Sequence, residues 1–311
     1  MLASSHVLVK YRRNLRKRIK RHWILYLLLI VPLTWVIVFH YIPMYGVIMA
    51  FQNFSIKKGY FGSQWVGTKH FERFITSPNF TMLLKNTLAI SLYSMVANFC
   101  CQVVFALMLN EVTAKRYRKT VQMFSYLPYF ISVVTVVAIL NQVFSYYGLF
   151  NNLLNALGAE RVSFFSTATS FRHMYVWSGV WSSMGYGAVI YIAALAGIPI
   201  DLYEAAELDG ATRLQKIIYI NIPSIMPTMT IMLLLSTGRV MSVGFEKVYM
   251  MQNNLNLSVS QVFSTYTYQI GLLNRQYSYS AAVNLFSSVV NVLLLLTTNA
   301  FARRFSETSL F

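Results

Sequence analysis

Acidic side chains are the scarcest feature of this chain: 9 Asp and Glu stand among 311 residues, against 26 Lys and Arg, and charged residues of both signs make up 11%. Those acids are scattered, and the 5 histidines have no ligand spacing. The sequence therefore offers no paired carboxylates, metal set or nucleophile with its base. Cysteine is almost missing too. The two present, Cys100 and Cys101, are adjacent, which excludes metal-ligand spacing, disfavours a mutual bridge and leaves them as packing residues. No G-x-x-x-x-G-K-[ST] phosphate loop occurs, so the chain is not expected to hydrolyse nucleotides itself. Low-complexity tracts, inter-domain linkers and a convincing internal repeat are also lacking.

What is abundant is apolar sequence, 56% of residues, gathered into runs instead of spread at core periodicity. That is the composition of a polytopic membrane protein. Windows at 23–42, 87–109, 121–144, 174–197, 228–250 and 279–302 are each long enough to cross about 30 Å of hydrocarbon at about 1.5 Å per helical residue. Five of the six hold no Asp, Glu, Lys or Arg. The first follows a basic stretch, as a secretory leader does, but its apolar part is too long and no small-residue cleavage site follows, so it reads as a retained span.

The net charge of +17 raises nucleic acid as a partner, and its distribution decides against that. Lys10, Arg12, Arg13, Arg16, Lys17, Arg18, Lys20 and Arg21 precede the first window, and Lys115, Arg116, Arg118 and Lys119 fill a short loop. Such flanks stay cytoplasmic, orient the helices and touch anionic membrane lipid. The expected fold is all-α: a basic cytoplasmic segment at 1–22, one six-helix membrane domain at 23–302, and a cytoplasmic tail at 303–311 with Arg303 and Arg304. Both termini and the loops at 110–120 and 198–227 then lie inside, and those at 43–86, 145–173 and 251–278 outside. The long loop at 43–86, rich in Gly and aromatics, reads as functional or interfacial. Pro128 should kink the third span or loosen its first turn. Gly179, Gly185 and Gly187, with Ser178, Ser182 and Ser183, suit a fourth span buried inside the bundle.

Residues 204–227 read EAAELDGATRLQKIIYINIPSIMP. A polar, net acidic loop on the cytoplasmic side adds nothing to bilayer stability, so it is expected to contact another molecule. Asp201 and Glu204 have N-terminal capping spacing, which predicts a helix from about residue 202. Asp209-Gly210 is a turn pair, and a second helix from about 211 should end before Pro223. Leu214, Ile217 and Ile218 would share one of its faces.

This loop resembles the signature of ABC importer permeases, on Glu204, Ala205, Ala206, Asp209, Gly210, Ala211, Ile220, Pro223 and Pro227. Where Leu214 stands, the family often has an aromatic residue. WVGTKHFERFITSPNFTMLLKNTL (65–88) is similar to maltose-type and oligosaccharide permeases, while YIPMYG, LPYFIS, VGFEKV and YSYSAAVNLF resemble a subgroup for complex oligosaccharides, uronate-containing ones included. The resemblance implies a type I importer permease fold in the bacterial cytoplasmic membrane. It implies a second, similar permease chain and an extracytoplasmic sugar-binding protein. It also implies a cytoplasmic ATPase dimer that carries the ATP and Mg, with no cofactor in this chain. Glu204, Ala205, Ala206, Asp209, Gly210, Ala211, Leu214 and Pro223 are the expected coupling surface. A secondary transporter or channel independent of ATP is the rival, and it calls for inverted repeats or mid-depth acids that are not visible.

For the substrate path the sequence offers Arg239, near mid-depth in the fifth window, where a cation costs roughly 3 kcal/mol and faces either an internal partner or a water-filled route. Glu246 and Lys247 follow as gate or interface residues. Trp177, Trp181, Tyr186 and Tyr191, with Tyr266 and Tyr268, could stack on sugar rings or simply pack. Asn98, Gln102, Asn284 and Asn291 either bond neighbouring helices or line the route.

Overall fold

The computed structural model describes residues 21–166 and 168–305. The basic residues at 10–20 and most of the C-terminal tail therefore lie outside the described residues. Six helical stretches are long and apolar enough to cross a membrane: Trp23–Phe51, Pro78–Asn110, Val133–Ala156, Ser170–Ala196, Arg213–Thr237 and Tyr277–Arg303. Their number and order match the sequence reading. The second starts earlier, at Pro78 instead of 87, and the first, third and fifth differ from the expected windows for backbone reasons.

The first span runs past the expected 42 to Phe51, passing Pro43 by way of a π turn at Ile37–Tyr41. An i→i+5 turn just ahead of a proline widens the helix where the ring would meet the preceding carbonyls and where its missing N–H breaks the ladder. The fifth span repeats the device. Pro223 does not end the helix as expected, because a π turn at Ile217–Asn221 lets the chain pass from Arg213–Lys216 into Ile222–Thr237. The third window divides. Helix Lys115–Tyr126 and the 3-10 turn Leu127–Phe130, which holds Pro128, stop at extended Ile131 and Ser132, and Val133–Phe144 starts afresh with Ser132 accepting from the Thr135 N–H.

The fifth window also divides. Helix ends at Thr237, residues 238–244 form turns and extended chain, and Phe245–Met251 is a separate short helix. Irregular backbone at membrane depth is tolerated only where protein or a water-filled cavity satisfies it. Here the Met241 N–H donates to Asn291 Oδ1 of the sixth span at 2.8 Å, and Asn291 Nδ2 donates to Ser242 Oγ at 2.9 Å.

The fourth span packs on the second and on helix Lys115–Tyr126, and its glycines allow the approach. A Cβ on Gly185 would lie 2.2 Å from the Ser125 carbonyl oxygen, and one on Gly187 2.3 Å from the Gln102 amide. The span is not buried all round, however, since Trp177, Trp181 and Tyr186 stand exposed on its other faces. At the outer end, Phe74, Leu83, Phe263, Tyr266, Tyr279 and Val283 form one apolar cluster; at the cytoplasmic end, Val103, Leu107, Tyr191, Leu195 and Ile225 form another. The external loop holds a short antiparallel ladder, Gln52 opposite Trp65 and Asn53 opposite Gln64, and the helix Lys69–Ile75.

Candidate functional site

The loop between the fourth and fifth spans folds as two helices at a tight turn. The first is Ile200–Leu208, and its N-cap is Pro199 with no side-chain hydrogen bond, so Asp201 sits in the first turn and is not the cap. Its end explains the Asp-Gly-Ala sequence. Gly210, at φ 74°, donates to the Glu207 carbonyl, and the Ala211 N–H reaches the Ala206 carbonyl at 2.8 Å. This is a Schellman closure, which needs a left-handed residue at the position Gly210 occupies. Thr212 caps the second helix in a reciprocal box with Gln215.

Two contacts make the pair one body. Lys216 Nζ reaches Glu207 Oε1 at 2.6 Å, and the lysine holds the Glu207 carboxyl below the ordinary carboxylate range. Tyr203 Oη donates to Asn221 Oδ1 at 2.5 Å, fixing the first helix to the base of the fifth span. Asp201, Glu204 and Asp209 make no ion pair among the described residues. Ile217 joins the cytoplasmic apolar cluster, whereas Leu214 is 65% exposed and Leu208 90%, so the expected shared face of Leu214, Ile217 and Ile218 is split. Apolar tips and unpaired acids together make a surface suited to contact by another protein.

A second site lies where the fifth span breaks. A cavity of about 460 Å³ is lined by Ser91, Ser94, Asn98 and Gln102 of the second span, Tyr175 and Tyr191 of the fourth, and Ser236, Arg239 and Ser242 of the fifth. Positions 91, 94, 98 and 102 recur at helical spacing, which places them on one face. Arg239 is on the turn after Thr237, not inside a helix as expected, and its guanidinium makes no ion pair among the described residues. The hydroxyls of Ser91 and Ser94 are buried without a partner. Asn98 is partly committed, accepting from Ser183 Oγ at 2.7 Å.

The remaining sequence candidates do not converge there. Trp177 and Trp181 line an apolar groove of about 570 Å³ with Leu140, Phe144 and Phe150 of the third span, and the Trp177 indole donates to Tyr93 Oη at 2.9 Å. Tyr186 stacks on Tyr129 at 4.0 Å beside the third-span break. Glu246 is exposed in the first turn of Phe245–Met251. Asn284 lines a separate hollow of about 400 Å³ with Phe245, Tyr268 and Tyr277, whereas Tyr266 is in the outer core. Asn291 holds the fifth-span break together.

Lys247 is more central than its sequence position conveyed. Its ammonium donates to the Tyr175 carbonyl at 2.8 Å and lies 4.7 Å from the centre of that ring. It also lines a small cavity with Tyr129, Ser182 and Ser183, between the two broken spans. The signal available was a lysine in an otherwise apolar run next to a Gly-Phe-Glu turn.

Residues 102–307 match the family of binding-protein-dependent transport system inner membrane components. The chain belongs to this family. It is a multi-pass permease of the bacterial inner membrane, as the loop signature implied, and ATP-independent transport is excluded as its class. It is 40% identical to the LplB protein of Bacillus subtilis over 94% of this chain and 92% of that one. It is 37% identical to the Bacillus subtilis YteP permease, named for polygalacturonan and rhamnogalacturonan transport, over 97% and 94%. Among solved structures it matches a chain of a bacterial ABC transporter that imports the acidic polysaccharide alginate, with a TM-score of 0.86, 37% identity and coverage of 94% and 99%.

Proposed function

We propose that this permease moves oligosaccharides into the cell, uronate-bearing chains among them, by alternating access through the cavity at the fifth-span break. The observation that carries the reading is chemical. An unpaired guanidinium on Arg239 shares one cavity with the unpartnered hydroxyls of Ser91 and Ser94. A cation out of water needs an anionic or strongly polar partner, and unpartnered hydroxyls suit hydroxyl-rich ligands. The names of the similar proteins support the same class of cargo.

In this reading the chain holds no cofactor. ATP and Mg are bound by a cytoplasmic ATPase dimer that receives the loop at 198–227 through Glu204, Ala205, Ala206, Asp209, Gly210, Ala211 and Leu214, with Pro223 at the base of the fifth span. A second homologous permease completes the path, and residues 21–44, all exposed, supply it with an uncovered helical face. An extracytoplasmic sugar-binding protein delivers the cargo to the outer loops.

The test is uptake in proteoliposomes that contain the partner subunits. Deleting residues 204–210 is expected to abolish ATP-dependent uptake and ATPase association while leaving the six spans inserted; normal uptake by this variant sinks the coupling assignment. Arg239→Ala is expected to lower uptake of uronate oligosaccharides more than of neutral ones. Equal transport of both at wild-type rates removes Arg239 from the path.

A further inference from the structure

The outer face of the chain is basic, against the usual trend for external loops. Within 43–86, 145–173 and 251–278 stand Lys57, Lys58, Lys69, Arg73, Lys85, Arg161, Arg172 and Arg275, with Glu72 and Glu160 the only acids. One hollow of about 220 Å³ collects part of this charge. It is lined by Asn53, His70, Arg73, Arg275 and Tyr277, drawn from the external ladder, the helix Lys69–Ile75 and the turn that opens the sixth span. The Phe54 N–H to Ser278 Oγ bond, 2.8 Å, ties these segments together.

Three features of the hollow point to a ligand that carries both hydroxyls and negative charge. His70 is 8% exposed, and its Nε2 bonds the Gln52 carbonyl at 3.1 Å while its Nδ1 is buried with no partner. Because Nε2–H is given to a carbonyl, Nδ1 of the neutral ring is an acceptor, and an orphaned acceptor of this kind is costly unless a donor such as a sugar hydroxyl fills its place. Arg275 carries the one positive φ of a non-glycine residue among those described, 56°, and its guanidinium makes no ion pair or ring contact there. Strain held at an unpaired cation marks a constrained position. Arg73 lies 4.4 Å from the centre of the Tyr279 ring, which fixes its direction.

The hollow also adjoins another. Tyr277 lines both it and the neighbouring hollow that holds Asn284 and Phe245, and Phe245 follows Gly244, which lines the Arg239 cavity. We propose that Arg73 and Arg275 form an external carboxylate-binding site, with His70 Nδ1 placed to accept from a hydroxyl of the same ring, an entry station that takes one uronate of an incoming oligosaccharide before it reaches Arg239. The site rests on the oligosaccharide reading above. Its volume, well below the roughly 300–1,000 Å³ of ordinary ligand pockets, suits a single acidic ring, with the rest of the chain outside. A concentrated field of one sign at the mouth of a path raises the local concentration of the opposite charge.

The experiment titrates trigalacturonate, with neutral maltotriose as control, against the assembled importer in nanodiscs. It uses the wild type and a background of Arg239→Gln, so that binding outside the central cavity is read alone. Arg275→Asn removes the charge while tolerating the left-handed backbone, and Arg275→Lys keeps the charge; Arg73→Gln is the second variant. Each charge removal is expected to weaken trigalacturonate binding about fivefold, the scale of an exposed ion pair near 1 kcal/mol. Arg275→Lys should retain most affinity, and maltotriose should be indifferent. Unchanged trigalacturonate binding in Arg275→Asn and Arg73→Gln, or equal competition by maltotriose, overturns the site. ATP-dependent uptake of neutral sugars with no trigalacturonate binding overturns the site but leaves the importer reading standing. Arg275-dependent binding without ATP-dependent uptake does the reverse.

Discussion

Replacing Asn291 by Leu tests whether the break in the fifth span is held open from the sixth. The side chain makes two bonds to the broken segment, accepting from the Met241 N–H at 2.8 Å and donating to Ser242 Oγ at 2.9 Å. Leu is of similar size, so the change is chiefly the loss of both bonds. A side-chain hydrogen bond between membrane helices averages about 0.6 kcal/mol, but the N–H of Met241, a residue only 3% exposed, is left orphaned, which adds about 1–3 kcal/mol. The expected loss is about 2 kcal/mol. Ser242→Ala removes only the weaker bond and is expected to cost about 0.5 kcal/mol. The assay is reversible unfolding by added sodium dodecyl sulfate in mixed micelles, followed by tryptophan fluorescence. A difference between Asn291→Leu and wild type below about 0.5 kcal/mol refutes the reasoning, because an orphaned buried amide cannot be that inexpensive. Uptake should also fall, since a segment freed to continue the helix would move Arg239 off its turn.

Gly185→Ala places a Cβ 2.2 Å from a backbone oxygen and should cost at least 1–3 kcal/mol, whereas Gly187→Ala meets only the end of the Gln102 side chain and should cost less; the same detergent titration ranks them. Gly210→Ala meets no atom within 4 Å, so its expected penalty of about 1–2 kcal/mol is backbone strain alone, and it should appear as weaker association with the ATPase in pull-down. Burial pushes the His70 imidazole below its ordinary value of 6.5, with Arg73 and Lys69 adding to the effect and the Gln52 carbonyl opposing it. The unfolded chain then binds the proton first, so this contribution is full above pH 6.5 and declines as pH falls below it. Hydrogen exchange of residues 52–75 should therefore quicken between pH 7 and 5, after correction for intrinsic rates, and His70→Gln should flatten that change. Lys69, Glu72, Arg73, Arg275, Tyr277 and Tyr279 are the other ionisable groups around that ring or along its helix.

The spans and the turn at Asp209-Gly210 were legible because their causes are local. A run of apolar residues defines a span wherever its neighbours lie, and Asp209-Gly210-Ala211 specifies its own closure through bonds within six residues. The interruptions are long-range. The bond that satisfies Met241 comes from 50 residues downstream, and nothing in the apolar run around 228–250 announces it. Proline was read as a stop at Pro223 because a single residue carries that rule; the π turn that bypasses it involves a whole turn of neighbours. Aromatic residues in the fourth span were legible as candidates for stacking or packing, but period alone does not say which neighbour each one faces. Trp177 and Trp181 turn to the third span, while Tyr175 and Tyr191 turn to the cavity.

These placements bear on how motion at the loop would reach the cavity. From Arg213 to Thr237 the fifth span is helical without a gap, about 37 Å at 1.5 Å per residue, and Tyr203 and Lys216 lock the preceding helix to its base. A displacement of the loop would therefore be carried as a rigid-body movement until the helix ends at Thr237, two residues before Arg239. Beyond it the chain has no continuous ladder to transmit force, and side-chain bonds hold the segment instead: from Asn291, from Ser264 Oγ to the Val243 carbonyl, and from Lys247 to the Tyr175 carbonyl. The compliant point of the span thus coincides with its charged lining. A push on the loop changes the cavity first and the outer half of the span afterwards. Inserting a Gly-Gly pair in the straight part, between Leu233 and Leu234, should uncouple the two: ATPase association through the loop is retained and uptake is lost. Retained uptake would show that the helix is not the lever.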